Sequence, residues 1–432
     1  MAEILIAALS PTGHVSPLLS VAQDLVARGD RVTVMTGAVH ADAVRAVGAQ
    51  PHPLPAKADF DESPFDAASR GKTSKVKALN LAIMRLFLAP MPHQYAELLT
   101  ALAATRFDVI IADYGFFGVI PLLLGDPAAR PPILYYTPTP MMLSSRDTAP
   151  NGMGLQPGTG WLARLRNRAL TLLSHKVILR ECHRATNGML EGLGVRRLPV
   201  FLLDVGVVAD RFIVPTVPSF EYPRSDLASN VRFVGAVHPQ PSRGYVRPAW
   251  WAEFDSGRPV VHVTQGTVDN EDMSRLIGPT IEALADEDVT VIVSTGGRDV
   301  GELGELPANA FAAEFIPHDV LLHEVDVMVT NGGYGAVQRA VSAGVPLVVA
   351  GNTEDKPEVA ARVAWSGAGL NLKTGTPGPA MIRDAVRELL DDCSYLRRAR
   401  ELEAAFAQRH GIAEIAALVD EVIQARRPAV RR

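Results

Sequence analysis

The chain has 432 residues, 47% of them apolar and 21% charged, which fits a globular protein of two or three domains and excludes a disordered one. Its 42 Lys and Arg against 47 Asp and Glu give a formal charge of −5. That balance carries no electrostatic footprint of nucleic-acid binding, and the one basic run, Arg426, Arg427, Arg431 and Arg432, reads as a fraying tail. Two cysteines, Cys182 and Cys393, are too few for a disulfide framework or a zinc cluster and point to a reducing cytoplasm.

Met1-Ala2-Glu3 leads straight into the apolar run Ile4–Leu9 with no basic leader, and no apolar stretch reaches the ~18 residues that span a bilayer. Ile4–Leu9 predicts a buried parallel strand. Val15–Arg28 follows with Leu18, Leu19, Ala22, Leu25 and Val26 at helical spacing, stopped by Gly29, and Arg31–Met35 is the next strand, completing a βαβ unit. Gly71-Lys72-Thr73 resembles part of a phosphate loop, but Asp66 stands where its first glycine belongs, so it reads as a surface turn. Lys75–Met91 predicts a half-buried helix, and Asp108–Ala112 and Pro132–Thr137 two further strands. Gly235–Pro248, with Pro239, Pro241, Gly244 and Pro248, has the composition of a linker. The alternation then restarts with strands over Pro259–Thr264, Val289–Ser294, Ala312–Ile316, Val325–Thr330 and Val345–Ala350. Tyr395–Ala425 predicts one long helix able to pack back across both halves. The fold class is α/β, two doubly wound domains meeting near residue 240.

Strand ends carry the chemistry in such folds. Ser10-Pro11-Thr12-Gly13-His14 lacks the G-x-G-x-x-G spacing of a dinucleotide site, and no G-x-S-x-G or H-E-x-x-H occurs. His14 follows the first strand and Asp113 ends a later one. On one rim they could pair, the carboxylate orienting the imidazole as a base. The plainer alternative is a helix-capping His14 and a turn residue Asp113. Asn331-Gly332-Gly333-Tyr334-Gly335-Ala336-Val337 follows a buried strand and opens a helix, with more glycine than a βα turn needs, which favours a phosphate site. Gln265-Gly266-Thr267 and Gly351-Asn352-Thr353-Glu354-Asp355-Lys356 lie at two further strand ends, the second also readable as an acidic helix start.

Taken in order, these pieces resemble the family-1 glycosyltransferases of the UDP-glycosyltransferase superfamily, in their bacterial natural-product branch. Phe315–Leu372 carries the likeness most specifically, and Gly13-His14-Val15-Ser16-Pro17 is similar to the family's Gly-His-x-x-Pro opening. The resemblance implies a GT-B fold, two facing Rossmann-like domains with a cleft between them. Residues 1–238 would bind acceptor, 239–250 would link, 251–394 would bind nucleotide sugar, and 395–432 would form the C-terminal helical segment. It implies inverting transfer of a hexose or deoxyhexose from a UDP- or dTDP-sugar to a hydroxyl of a hydrophobic natural product, with no cofactor and no metal, by a monomer or homodimer. His14 falls at the base and Asp113 at its partner. Phe315 falls at the nucleobase stack, the Ile316 backbone beside that base, and His318 near the ribose. Thr267 joins Asn331, Gly332, Gly333, Gly335, Ala336 and Val337 around the diphosphate, Gly13 and Gly266 are further donor contacts, and Asp355 and Lys356 face the sugar. Asn331 replaces the usual His, Ala336 a Thr or Ser, and Lys356 a Gln. Met84, Phe87, Met91, Phe116, Met141 and Met142 are candidate acceptor contacts, each equally readable as core. A sugar-nucleotide epimerase and a catalytically silent homologue acting as a partner protein are the alternatives. The first would need no His14–Asp113 pair, and the second would be expected to lose it.

Overall fold

The computed structural model describes residues 1–59, 75–238, 244–252, 257–267 and 269–426. Gly71-Lys72-Thr73, residues 239–243 and the last six residues lie outside this set.

Two all-parallel sheets form. The first runs β3-β2-β1-β4-β5-β6-β7, from β1 (Glu3–Ala7), β2 (Arg31–Gly37), β3 (Gln50–Leu54), β4 (Val109–Asp113), β5 (Ile133–Tyr136), β6 (Arg211–Val214) and β7 (Val231–Phe233). The second runs β10-β9-β8-β11-β12-β13, from β8 (Val260–Thr264), β9 (Thr290–Ser294), β10 (Ala310–Ala313), β11 (Val327–Thr330), β12 (Leu347–Val349) and β13 (Gly369–Asn371). Apolar clusters cover both faces of each sheet, which is why the central strands read as unbroken Val and Ile runs. In both sheets the strand order reverses once, between β1 and β4 and between β8 and β11. Those two crevices are where a doubly wound sheet offers space for a ligand.

The sequence reading missed four strands and misplaced three elements. β3 (QPHPL) carries Pro51 and Pro53, which a strand tolerates at a sheet edge, and it pairs only with β2. β6, β7 and β13 have four, three and three residues, too short for a periodicity signal. The strand expected over Ala312–Ile316 lies at Ala310–Ala313, and Ile316 is buried in the following loop. Lys75–Met91 is helical to Ile83, turns through a π segment at Met84–Leu88, and a new helix begins at Met91 after Pro90. The single helix expected over Tyr395–Ala425 is two, Cys393–Ala407 and Gly411–Arg426. The break is where the chain changes sheets. Ala399, Leu402 and Phe406 pack in the core of the second sheet, while Ile415, Val419 and Val422 pack against Ile4, Ile6 and Leu18 of the first. A side chain at Gly411 would collide with the Ala236 carbonyl, 2.0 Å from where its Cβ would lie.

A buried ionic lattice ties the halves together. Arg362, in the helix Lys356–Ser366, donates to both oxygens of Glu221 at 2.8–3.1 Å and to Glu358 at 3.0 Å. Glu358 in turn accepts the backbone amides of Gly152 and Gly154, in the loop after β5. Glu221 also accepts from Arg224 and from the Tyr222 amide. Arg362 is 1% exposed, so removing its charge leaves the buried Glu221 with Arg224 as its remaining cation and takes from Glu358 the guanidinium it faces. Arg362→Met should cost ~3–5 kcal/mol, read as a drop in the urea midpoint, and adding Glu221→Leu should restore part of it. An unchanged midpoint in the single variant would show the lattice to be dispensable.

Candidate active site

His14 stands in the first turn of α1 (Thr12–Ala27), at the carboxyl end of β1, and Asp113 is the last residue of β4. Because β1 and β4 are neighbours at the switch point, both side chains emerge into one crevice. His14 Nδ1 lies 2.7 Å from Asp113 Oδ2. The same oxygen accepts the Leu9 amide at 3.2 Å, and Oδ1 accepts the Gly115 amide at 3.0 Å. Asp113 is fully buried and so has one fixed orientation. A carboxylate facing Nδ1 requires the proton there, which leaves Nε2 as the basic nitrogen of a neutral ring. The helix-capping reading of His14 does not hold, since α1 has no side-chain cap, and Asp113 closes a strand with its carboxylate on the imidazole.

The His14 side chain is 21% exposed, so a ligand can reach it. Burial alone would lower its pKa. The Asp113 carboxylate reverses that, helped by Asp355 and Glu354 from the second half, and the imidazole lies above its ordinary 6.5. Asp355 is pushed up to about 6 by burial and by Glu354, against the pull of Lys356 and His14. His14 and Asp355 therefore share one electrostatic environment although they belong to different sheets.

The second crevice is lined by the loops after β8 and β11. Gly332 has φ +89°, a region that suits glycine, and a Cβ there would meet Val349 at 2.8 Å. α2 (Tyr334–Ser342) begins immediately after, and its Val337 amide already bonds the Gly333 carbonyl at 3.1 Å. Its earlier amides are the unpaired ones that any helix start presents. A Cβ at Gly335 would meet nothing within 4 Å, and the same holds at Gly13 and Gly266, so these backbones face open space. Thr267 is exposed beside them. Phe315 is 56% exposed, unusual for a large aromatic ring, while Ile316 is buried. His318 opens the short helix His318–Leu321 with its Nδ1 buried and unpartnered. Burial, with His262 and Arg339 nearby, holds it well below its ordinary pKa, hence neutral.

Several expected contacts fall elsewhere. The Asn331 amide group donates to the Gln265 carbonyl at 2.6 Å, tying the β11 loop to the β8 loop. Lys356 is buried, its Nζ 3.0 Å from Asp269 and 2.5 Å from Glu354, so it braces the Asp355 loop and is not presented to a sugar. Val337 is core on its side chain and bonded on its amide. Met91, Phe116 and Met141 are fully enclosed core. Met84, Phe87 and Met142 are only partly buried, and Phe87 adjoins His14: both ring edges lie within 3.5 Å of a Cβ built on Gly115. Sequence reasoning missed Asp269 and named Glu354 only within the strand-end run, with no role of its own. The latter holds φ +53° without being glycine, a strained conformation common at functional loops that residue type does not reveal. Among the described residues no three His, Cys, Asp or Glu side chains are placed to hold a metal ion, and no helix is long and apolar enough to cross a membrane.

The chain is 40% identical over 428 residues to a 4'-demethylrebeccamycin synthase from Lentzea aerocolonigenes, covering 98% of this chain and 100% of that relative. A UDP-glycosyltransferase 2 from Phaeomoniella chlamydospora is 37% identical, covering 98% and 96%. The chain belongs to the UDP-glycosyltransferase superfamily. Residues 279–422 match the C-terminal domain of the erythromycin biosynthesis protein CIII-like family. The crystal structure of a kitacinnamycin glycosyltransferase superposes with TM-score 0.76 at 24% identity over 98% of this chain and 99% of that one, and a calicheamicin glycosyltransferase with 0.70 at 24% over 99% and 100%. The fold of this glycosyltransferase is GT-B, and its enzyme class is that of its natural-product relatives rather than that of an epimerase.

NMR titration of the His14 ring should give a pKa above 6.5. Asp113→Asn should lower it, since burial then acts with less opposition, and Asp355→Asn should lower it by less. A titration unmoved by Asp355→Asn would separate the two halves of the site.

Proposed function

We propose that the glycosyltransferase moves a hexose or deoxyhexose from a UDP- or dTDP-sugar to a hydroxyl of a hydrophobic acceptor, with inversion and without a metal. The observation that carries this reading is His14, oriented by Asp113 at 2.7 Å and electrostatically coupled to Asp355 of the opposite half. His14 Nε2 takes the acceptor proton as the oxygen attacks the anomeric carbon on the face opposite the diphosphate. Asp113 stabilises the imidazolium that forms. The bond to the leaving phosphate oxygen breaks as the new C–O bond forms, and the configuration inverts.

On this reading residues 1–238 bind acceptor and 251–394 bind donor. The charge growing on the diphosphate is met by the unpaired amides from Gly333 to Ala336, the positive end of α2, and the Thr267 hydroxyl, which together take a metal's part. Phe315, half exposed and aromatic, stacks on the base beside the Ile316 backbone, and neutral His318 lies toward the ribose. Asp355 accepts from sugar hydroxyls. Phe87, beside His14, and the partly buried Met84 and Met142 contact the acceptor. Relatives named as UDP-glucosyltransferases from Starmerella bombicola, 31% identical, and Beauveria bassiana, 34% identical, favour UDP-glucose as the first donor to try.

His14→Ala should lower kcat by about 10²–10⁴-fold while leaving donor affinity within about twofold, as measured by product mass and by calorimetry with the nucleoside diphosphate. Wild-type turnover in that variant would remove the base assignment. The base must be neutral to act, so kcat/KM should fall with decreasing pH through the raised His14 pKa, placing the acid limb above 6.5. Asp113→Asn should move that limb to lower pH as well as slowing the reaction.

A further inference from the structure

The helix Gly160–Leu173 and the π turn Ser174–Ile178 after it are inside out. Their buried positions are polar, Asn167 and Ser174. Trp161, Leu162, Leu165, Leu172, Leu173 and Val177 face solvent, with Trp161 72% and Val177 62% exposed. An ordinary surface helix does the opposite, burying its apolar stripe. Asn167 holds this orientation from inside: its amide donates to the Arg146 carbonyl of the preceding loop at 3.2 Å, a bond that turning the apolar face inward would break. Scattered exposed leucines are common, but four with a valine and a tryptophan on this helix and its π turn make a patch of the kind that marks an interaction surface.

The charge around the patch selects its partner. In a chain of net charge −5, residues 160–184 hold Arg164, Arg166, Arg168, Lys176, Arg180 and Arg184 against the single acid Glu181. All six cations are exposed, Arg164 paired with Asp147 and Arg166 with Asn167. A second copy docking through this face in a two-fold dimer would set these cations against themselves. A protruding helix with Trp and Leu outermost and Arg and Lys at its flanks matches an anionic interface, where apolar side chains enter the acyl boundary and cations meet headgroup phosphates.

We propose that Gly160–Ile178 docks this glycosyltransferase on an anionic lipid surface. The element adjoins the segments assigned to the acceptor. His175 Nε2 lies 3.2 Å from Ser144 Oγ, and Asn80, in the helix leading to Met84 and Phe87, donates to the Ile178 carbonyl at 2.5 Å. Docking there would bring the acceptor side of the cleft against the bilayer in which a hydrophobic aglycone partitions. That consequence rests on the acceptor reading above, whereas the docking itself does not.

Flotation with phosphatidylcholine vesicles, with and without phosphatidylglycerol, tests the surface without substrate. The full chain should bind the anionic vesicles, release them at high salt, and show a blue shift of tryptophan emission that Trp161→Phe abolishes. Arg168→Glu with Lys176→Glu should weaken binding by about tenfold or more, and Leu165→Ser with Leu172→Ser should do the same. Because these positions are exposed, the variants should keep the parental melting temperature and the parental rate on a water-soluble aglycone. That rate reports on the transferase reading separately. No binding to anionic vesicles at low salt, equal binding to pure phosphatidylcholine, or retained binding in the Leu165 and Leu172 variant would overturn the proposal. Lipid-free self-association, seen by sedimentation and abolished by the same substitutions, would also overturn it and assign the patch to a second copy.

Discussion

The site depends on one buried carboxylate. Asp113 is fully enclosed, yet its two oxygens take the Leu9 amide, the Gly115 amide and His14 Nδ1. An ion removed from water needs such partners, and here they come from the loops after two adjacent strands. The carboxylate thus joins the β1 and β4 loops at the point where the sheet reverses, and in doing so sets the tautomer and direction of the imidazole. Gly115 is part of the same arrangement, since a Cβ there would press on the Leu9 side chain at 2.6 Å and on the edges of Phe87 and His14 at 3.3 and 3.5 Å.

The second sheet solves a different problem with the same strand order. Its switch point lies between β8 and β11, and the loops there present backbone and little free charge. Asn331 is spent on Gln265, and Lys356 on Asp269 and Glu354. Both residues depart from the family's usual choice, and both hold loops together. The loop that ends in Asp355 is therefore braced from beneath by an ammonium, while Asp355 itself keeps a carboxyl whose pKa of about 6 reflects burial beside another acid.

What the sequence showed and what it hid divide along physical lines. Central strands were legible because burial on both faces demands unbroken Val and Ile, as in Ile4–Leu9 and Val260–Thr264. His14 and Asp113 were legible as strand-end residues of the kind that converge on a rim. The short strands β6, β7 and β13 were not, because three or four residues carry no period, and β3 was masked by prolines that only an edge position excuses. Residue type could not separate core from cleft among the methionines and phenylalanines. Met91, Phe116 and Met141 differ from Met84, Phe87 and Met142 only in where the fold puts them. Lys356 misled for the same reason, since a lysine at a strand end looks available until Asp269 and Glu354 enclose it.

The Glu221–Arg362–Glu358 lattice couples these two solutions. The helix Lys356–Ser366 begins at the braced loop carrying Asp355, and one turn further in, Glu358 holds the amides of Gly152 and Gly154 from the first half. Arg362, another turn on, holds Glu221, which accepts from the Met141 amide as well. The loop after β5, which reaches from the candidate acceptor contacts to the inside-out helix, is thereby bonded to the body of the helix that positions Asp355. A shift of that helix along its axis would move Asp355 relative to His14 and drag the 141–154 segment with it, because buried ion pairs resist being pulled apart far more than apolar contacts resist sliding. The loop carrying Asp355 and the 141–154 segment are in this sense one mechanical unit, anchored a second time where Cys393–Ala407 gives way to Gly411–Arg426 and the chain returns to the first sheet. The loops that flank His14 are thus tied together by charges that lie behind the crevice rather than within it.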